Sequence, residues 1–449
     1  MGHHHVTSAD IAINGDHLDP ASVSKVKTIA LAIAVLGSIV SALALFGVFG
    51  QKIAGIYAYS WEFAFYFFLT LPIGGVFWVL LHNVSNASWG TSVRRVFENL
   101  GSIFPWMFLF AIPLMVPSVQ MYLYEWMNIH REAHGDVKEH LHHVDHLLYN
   151  KYWFMSTPFW YGRMLFYFVA FSAVIIGLRK LSTDQDTDPN PGTARLLKAR
   201  YHSNYPLIIF ALTITFTGFD FAMGLDYKWF STMWGVYLFA GAALNSMAVG
   251  VLVCAWLKSK GHLKHVVGPE QFHIMGKLMF AFTTFWAYIS FSQFFLIWYA
   301  NITEETSYFL TRNTGNWNIG MYFLVFGHFV VPFVILLQAW LKRNPKTLSI
   351  MAVYTLCMHV LDHYIITIPE RGVSLCNLLV KDSAGKVLLD GHAVFGDIRI
   401  SIPGAFWFDI LAFVTIGAAF VFFLLRALGQ HSLYPNRDPR ILESANISN

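Results

Sequence analysis

Charge is what this chain has least of. Only 12% of its 449 residues are Asp, Glu, Lys or Arg, about half the share of a soluble domain. Cysteine is scarcer still: Cys254, Cys357 and Cys376 are the three, and no two are close in sequence. That excludes a CxxCH attachment for covalent haem, a cysteine run for an iron–sulfur cluster and a paired disulfide framework. A thiolate-held redox centre is therefore not expected in this chain. The net charge is only +4, too little to argue for a nucleic-acid partner. A signal-peptide pattern is missing as well, because residues 1–24 are polar and the first apolar run is long enough to span. His3, His4 and His5 carry no weight in the reading. The short alternating runs of a membrane β-barrel do not occur.

What is there is apolar: 56% of residues are hydrophobic and 17% aromatic. Apolar runs lie near 27–49, 59–82, 102–124, 159–178, 205–225, 231–257, 270–299, 318–340, 347–368 and 404–428. About 20 residues of helix cross a bilayer. In hydrocarbon the backbone must satisfy its own hydrogen bonds, so such runs are helices. The expected fold class is an all-α polytopic membrane protein of about ten transmembrane helices. A transmembrane domain over 25–428 is expected between polar tails, 1–24 and 429–449.

An even number of spans puts both tails on one side. Lys25, Lys27, Arg94 and Arg95 fall on that side, with the basic residues of 179–200, 258–264, 342–346 and 426–440. Lys and Arg concentrate on the cytoplasmic side, so both termini are expected in the cytoplasm of a bacterial cell, with the spans in its inner membrane. Two long connections, 125–158 and 369–403, fall on the opposite side. Loops of that length usually carry function or contacts, which suggests a partner there.

A charge near the bilayer centre costs about 2.5–3.5 kcal/mol, so each one needs a reason. The candidates are Glu62, Asp220, Lys277, His328, His359, Asp362, His363 and Asp409. Span nine is the most informative, since His359, Asp362 and His363 sit at i, i+3 and i+4 on one helix face. Imidazole beside carboxylate suits proton exchange. Span five carries Thr213, Thr217 and Asp220 as a stripe, and span two carries Glu62, Tyr66 and Thr70. Together they suggest a hydrated half-channel in the extracytoplasmic half. A plainer account stands beside this one. Thr and Tyr at helical spacing commonly make interhelical hydrogen bonds, Asp409 and Glu62 lie early in their helices where a carboxylate suits the dipole, and Lys277 can snorkel. His328 with His359 or His363 is the one pairing available for a bis-histidine haem b, and a second matched pair is not evident. Loop 125–158 holds His130, His134, His140, His142, His143 and His146, a solvated or partner-facing segment that matches no fixed metal template.

Two stretches resemble a known family. Phe291-Ser292-Gln293-Phe294-Phe295-Leu296-Ile297-Trp298-Tyr299-Ala300-Asn301-Ile302, followed by Glu304-Glu305-Thr306, is one. Phe219-Asp220-Phe221-Ala222-Met223-Gly224-Leu225-Asp226, with Trp229-Phe230-Ser231-Thr232 and Tyr237, is the other. Both resemble the second large membrane subunit (the ActF type) of alternative complex III, within the NrfD/PsrC-type quinone-associated membrane proteins. The likeness runs from span one through span ten; the family-typical proline after Ile302 is Thr303 here. The resemblance implies two four-helix bundles, spans two to five and six to nine, flanked by spans one and ten. It implies a quinol:cytochrome c (or other acceptor) oxidoreductase whose iron–sulfur and c-type haem proteins are separate subunits, beside a sister NrfD-like membrane subunit with the quinol pocket. This chain would supply a proton path through Asp220, His328, His359, Asp362, His363, Glu62 and Asp409, or a scaffold. Three alternatives remain: quinol oxidation by this subunit itself with His363 or Asp362 taking a proton, a solute transporter, and a dihaem cytochrome b.

Overall fold

The computed structural model describes residues 5–379 and 405–448, apart from Ile13, His134 and Asn316, and without the side chains of Glu304 and 374–379. Among the described residues it is all helix, and ten helices are long and apolar enough to cross a membrane. They are α1 (Pro20–Leu45), α2 (Gln51–Ser85), α3 (Thr91–Met115), α4 (Thr157–Thr187) and α5 (Ala194–Leu225), then α6 (Trp234–Ser259), α7 (Pro269–Ala300), α8 (Trp317–Leu336), α9 (Pro345–Val373) and α10 (Phe406–Leu428). This is a multi-pass membrane protein.

Helix α2 is the axis of the fold. It packs on α3 and α5 to one side and on α6 and α9 to the other, while α1 and α10 pair with each other and cover it. Helices α2–α5 thus form one bundle and α6–α9 a second. The α2–α6 contact is close because Gly74 has no side chain. A Cβ there would lie 2.1 Å from the Ala242 carbonyl oxygen and 2.2 Å from Ser246 Oγ. Helices in lipid associate through such small-residue contacts, since tails outside are as apolar as the side chains within.

The third span differs from the expected 102–124. It begins at Thr91 and ends at Met115, and a separate short helix follows over Pro117–Leu123. Pro105, Pro113 and Pro117 break the apolar run, each removing a backbone donor. The helix starts early because Arg94, Arg95 and Glu98 are not loop charges: they are buried. Arg94 pairs with Glu98 and Asp438, both at 3.1 Å, and Arg95 pairs with Glu98 and Asp186, both at 2.7 Å. Burial raises the Asp438 carboxyl, but Arg440 and Arg94 outweigh it and hold the group below its ordinary value. The polar tails are therefore built into this end of the bundle. The Leu433 amide donates to the Asp16 carbonyl oxygen at 2.7 Å, and Asn446 bonds the Val6 backbone in both directions at 2.8 Å. Both termini lie on this face.

On the opposite face, 116–156 folds into short helices, among them Glu125–Arg131, Val137–Val144 and His146–Lys151. Asp136 and Asp145 cap the last two by accepting from the Lys138 and Leu148 amides. Tyr227 donates to Asp145 at 2.6 Å and tethers the segment to the α5–α6 turn. Thr303 opens the helix Thr303–Arg312, at the first helical position, where proline is also favoured.

Candidate functional site

The expected span-nine face exists, and it points into the protein. His359, Asp362 and His363 are each at most 2% exposed. His328 comes to meet them from α8, inside a π-helical turn over Leu324–Val330. Such a turn inserts an extra residue and re-aims side chains, and it occurs often at functional sites. His328 Nε2 lies 3.1 Å from His359 Nδ1, and His359 Nδ1 lies 3.5 Å from Asp362 Oδ2. Tyr237 of α6 donates to Asp362 Oδ1, and Trp286 Nε1 of α7 donates to Oδ2 at 3.2 Å. The Trp286 ring also covers His328, with centroids 3.9 Å apart. His359 fits because α6 offers Gly241, where a Cβ would lie 2.5 Å from the imidazole. His363 Nδ1 is 3.1 Å from the His359 carbonyl oxygen. A carbonyl only accepts, so Nδ1 carries hydrogen and Nε2 faces outward from the backbone bond.

The cluster continues along α2 toward the loop-bearing face. The Tyr66 ring lies 5.0 Å from that of His363, and Glu62 is one turn further on. Glu62 is fully buried, and neither carboxyl oxygen has a hydrogen-bond partner. One turn toward the termini face, each of three helices adds a buried polar group. Asn245 stands below Gly241 on α6, Thr283 below Trp286 on α7 and Thr355 below His359 on α9; none has a side-chain hydrogen-bond partner. Outward nitrogens His328 Nδ1, His359 Nε2 and His363 Nε2 are unpartnered too. Buried polar groups are ordinarily satisfied. A column of unsatisfied ones, from Glu62 on α2 to Thr355 within the α6–α9 bundle, is where water and protons have something to bind.

Two expected members of the path lie elsewhere. Asp220 accepts from Arg163 Nη2 at 2.6 Å and Nε at 2.8 Å, and from Tyr167 at 2.5 Å. Asp409 accepts from Arg371 at 2.7 Å, Ser60 at 2.5 Å and Tyr364 at 2.8 Å. A third pair joins Arg312 to Glu370 at 2.8 Å. These carboxylates are anchors, each paired with a buried arginine, and the first two do not join the column. The Thr213–Thr217–Asp220 stripe is buried, but Thr217 bonds back to the Thr213 carbonyl oxygen at 2.7 Å within its own helix. Lys277 is exposed.

Comparison of the chain with protein-family models finds no match, and comparison with curated protein sequences finds none either. The site is therefore read from its own chemistry.

His328, His359 and Asp362 are, among the described residues, the one group of three or more potential metal ligands whose donor atoms converge, all lying within 4.8 Å of one another. The described histidines of the loop do not form such a group. His134 lies outside the described residues, and His142, His143 and His146 are exposed.

His130 differs from them: it is buried against Trp126 and Tyr152, with ring centroids at 5.4 and 5.7 Å. Burial lowers its pKa from 6.5 to about 4. The unfolded loop therefore binds a proton more readily than the folded one between those values. Folding stability of the loop is fully present above about pH 6.5 and is lost as pH falls toward 4. Limited proteolysis within 125–151 is expected to accelerate across that window. His130→Phe is expected to flatten the profile; an unchanged profile would show that His130 does not set it.

Proposed function

We propose that this chain is a membrane subunit of a respiratory quinol:electron acceptor oxidoreductase of the alternative complex III type, and that it conducts protons. The reading rests on one observation, the buried column Glu62–Tyr66–His363–His359–His328–Asp362 with Asn245, Thr283 and Thr355 beyond it. Imidazole, carboxyl and phenol groups at successive turns can pass a proton by small rotations. Apolar helices around them block other ions. Asp220 and Asp409 are assigned here to holding α4 to α5 and α9 to α10, a scaffold role beside the path. The lysine and arginine bias supports termini in the cytoplasm of a bacterial inner membrane, so the column would open from the extracytoplasmic side. Electrons would travel through iron–sulfur and c-type haem proteins in neighbouring chains, and a sister NrfD-like subunit would oxidise quinol.

Copurification from native membranes followed by mass spectrometry tests the assignment. The expected result is a stable complex with c-type haem and iron–sulfur subunits. A chain that purifies alone and drives solute uptake would replace the respiratory reading with the transporter one. A haem b bridging His328 and His359 fits poorly. Their facing nitrogens, His328 Nε2 and His359 Nδ1, are at hydrogen-bonding distance, 3.1 Å, closer than two metal–imidazole bonds of about 2 Å laid end to end would need.

The convergence of three donors favours a second reading, a divalent transition metal held by two imidazoles and a carboxylate. Elemental analysis of the purified chain decides it. Stoichiometric metal that disappears in His359→Ala would replace proton relay at this point of the column; its absence would leave the relay reading standing.

A further inference from the structure

At the end of the membrane domain that bears both termini, a cavity of about 420 Å³ opens between α3, α4 and α10. Its charged lining is of one sign: Arg179 and Lys180 from α4, Arg426 from α10, with His431 just beyond. No carboxylate lines it. Among the described residues the hydrogen bonds of Arg179 go to neutral acceptors, Asn99 Oδ1 at 2.9 Å, the Ala427 carbonyl oxygen at 3.3 Å and Gln430 at 3.3 Å. Its Nε is buried without a partner. Neither Lys180 nor Arg426 has an acidic group within 4 Å among the described residues. The nearby Glu98 is taken up by Arg94 and Arg95.

The other half of the cavity is apolar and lies deeper in the membrane domain. Trp106 and Phe423 stack at 4.7 Å with rings 14° apart, and the Arg426 guanidinium stands 5.5 Å above Trp106. Cations sit at the helix ends, where a headgroup region would be. Aromatic and aliphatic walls lie a turn or two inward, where acyl chains begin. Excess positive charge in a low-dielectric cleft recruits an anion. Basic pockets between spans suit anionic lipid headgroups, and Trp prefers this interfacial depth.

We propose that this cleft is a specific site for an anionic phospholipid. Its phosphodiester would be held by Arg179, Lys180 and Arg426, with its chains along Trp106, Ile176 and Phe423. The site is separate from the proton column and does not depend on the respiratory reading.

The test uses the full chain in detergent micelles, titrated with phosphatidylglycerol and followed by native mass spectrometry. Phosphatidylcholine and inorganic phosphate serve as competing probes. One phosphatidylglycerol per chain is expected to persist, displaced by neither probe. Lys180→Gln and Arg426→Gln remove charges that make no ion pair, so the fold should survive; each is expected to weaken retention about fivefold. Lys264→Gln, an exposed lysine outside the cleft, is expected to change nothing. Equal retention of phosphatidylcholine, full displacement by inorganic phosphate, or unchanged binding in the two cleft variants would each overturn the proposal.

Discussion

Asp362→Asn is expected to cut proton-coupled turnover of the assembled complex by about 100-fold, the lower end for loss of a positioned proton-transfer group. The substitution is nearly isosteric. An asparagine oxygen still accepts from Tyr237 or Trp286, so the contact between α6, α7 and α9 is retained. What is lost is a group that can both take and release a proton beside His359, 3.5 Å away. Proton uptake by liposomes containing the purified complex, driven by quinol, gives the protons moved per electron. Electron transfer to the acceptor is measured in the same sample. A proton-to-electron ratio equal to that of the unsubstituted complex would remove Asp362 from the path. A ratio that falls while electron transfer continues would locate coupling in this chain.

Asp220→Leu is expected to be the most destabilising single change, by about 3–5 kcal/mol, because it strands the Arg163 guanidinium without its carboxylate partner. Arg163 is buried with Asp220, and one guanidinium nitrogen also donates to the Phe154 carbonyl oxygen at 2.6 Å. Tyr167 would lose its acceptor as well. The readout is the fraction of monodisperse chain in detergent and its thermal unfolding midpoint. Removing both charges in Arg163→Met/Asp220→Leu is expected to restore most of the loss, since a buried pair replaced by apolar groups is often close to neutral. A double variant as unstable as the single one would show that Arg163 matters for something besides this pair.

The residues that sequence reasoning passed over share one feature. Arg163, Arg312 and Arg371 lie near span ends, where basic residues ordinarily mark topology, so nothing in the linear pattern set them apart. Their signal was indirect: Asp220, Glu370 and Asp409 lie within a few turns of the same face, and a buried carboxylate calls for a cation at its own depth. Arg94 and Arg95, counted as side-marking charges, do lie at the end that bears the tails, but there Glu98, Asp438 and Asp186 neutralise them inside the protein. Asn245, Thr283 and Thr355 had no signal at all. Single polar residues in apolar helices are common, and only burial without hydrogen-bond partners, one turn from the histidine cluster on each helix, distinguishes these three.

Apolar run length was enough to determine that ten helices cross, though not where the third and fifth begin, because hydrocarbon leaves the backbone no other way to satisfy its donors and acceptors. Helical periodicity likewise placed His359, Asp362 and His363 on one face. Tertiary packing alone decided which buried charges have partners, since that depends on contacts such as Gly241 against His359 and on the π-helical turn that carries His328. The same ionisable side chain is an anchor where an arginine reaches it, as at Asp220 and Asp409, and is left without a hydrogen-bond partner where none does, as at Glu62; the choice is made between helices, not along them.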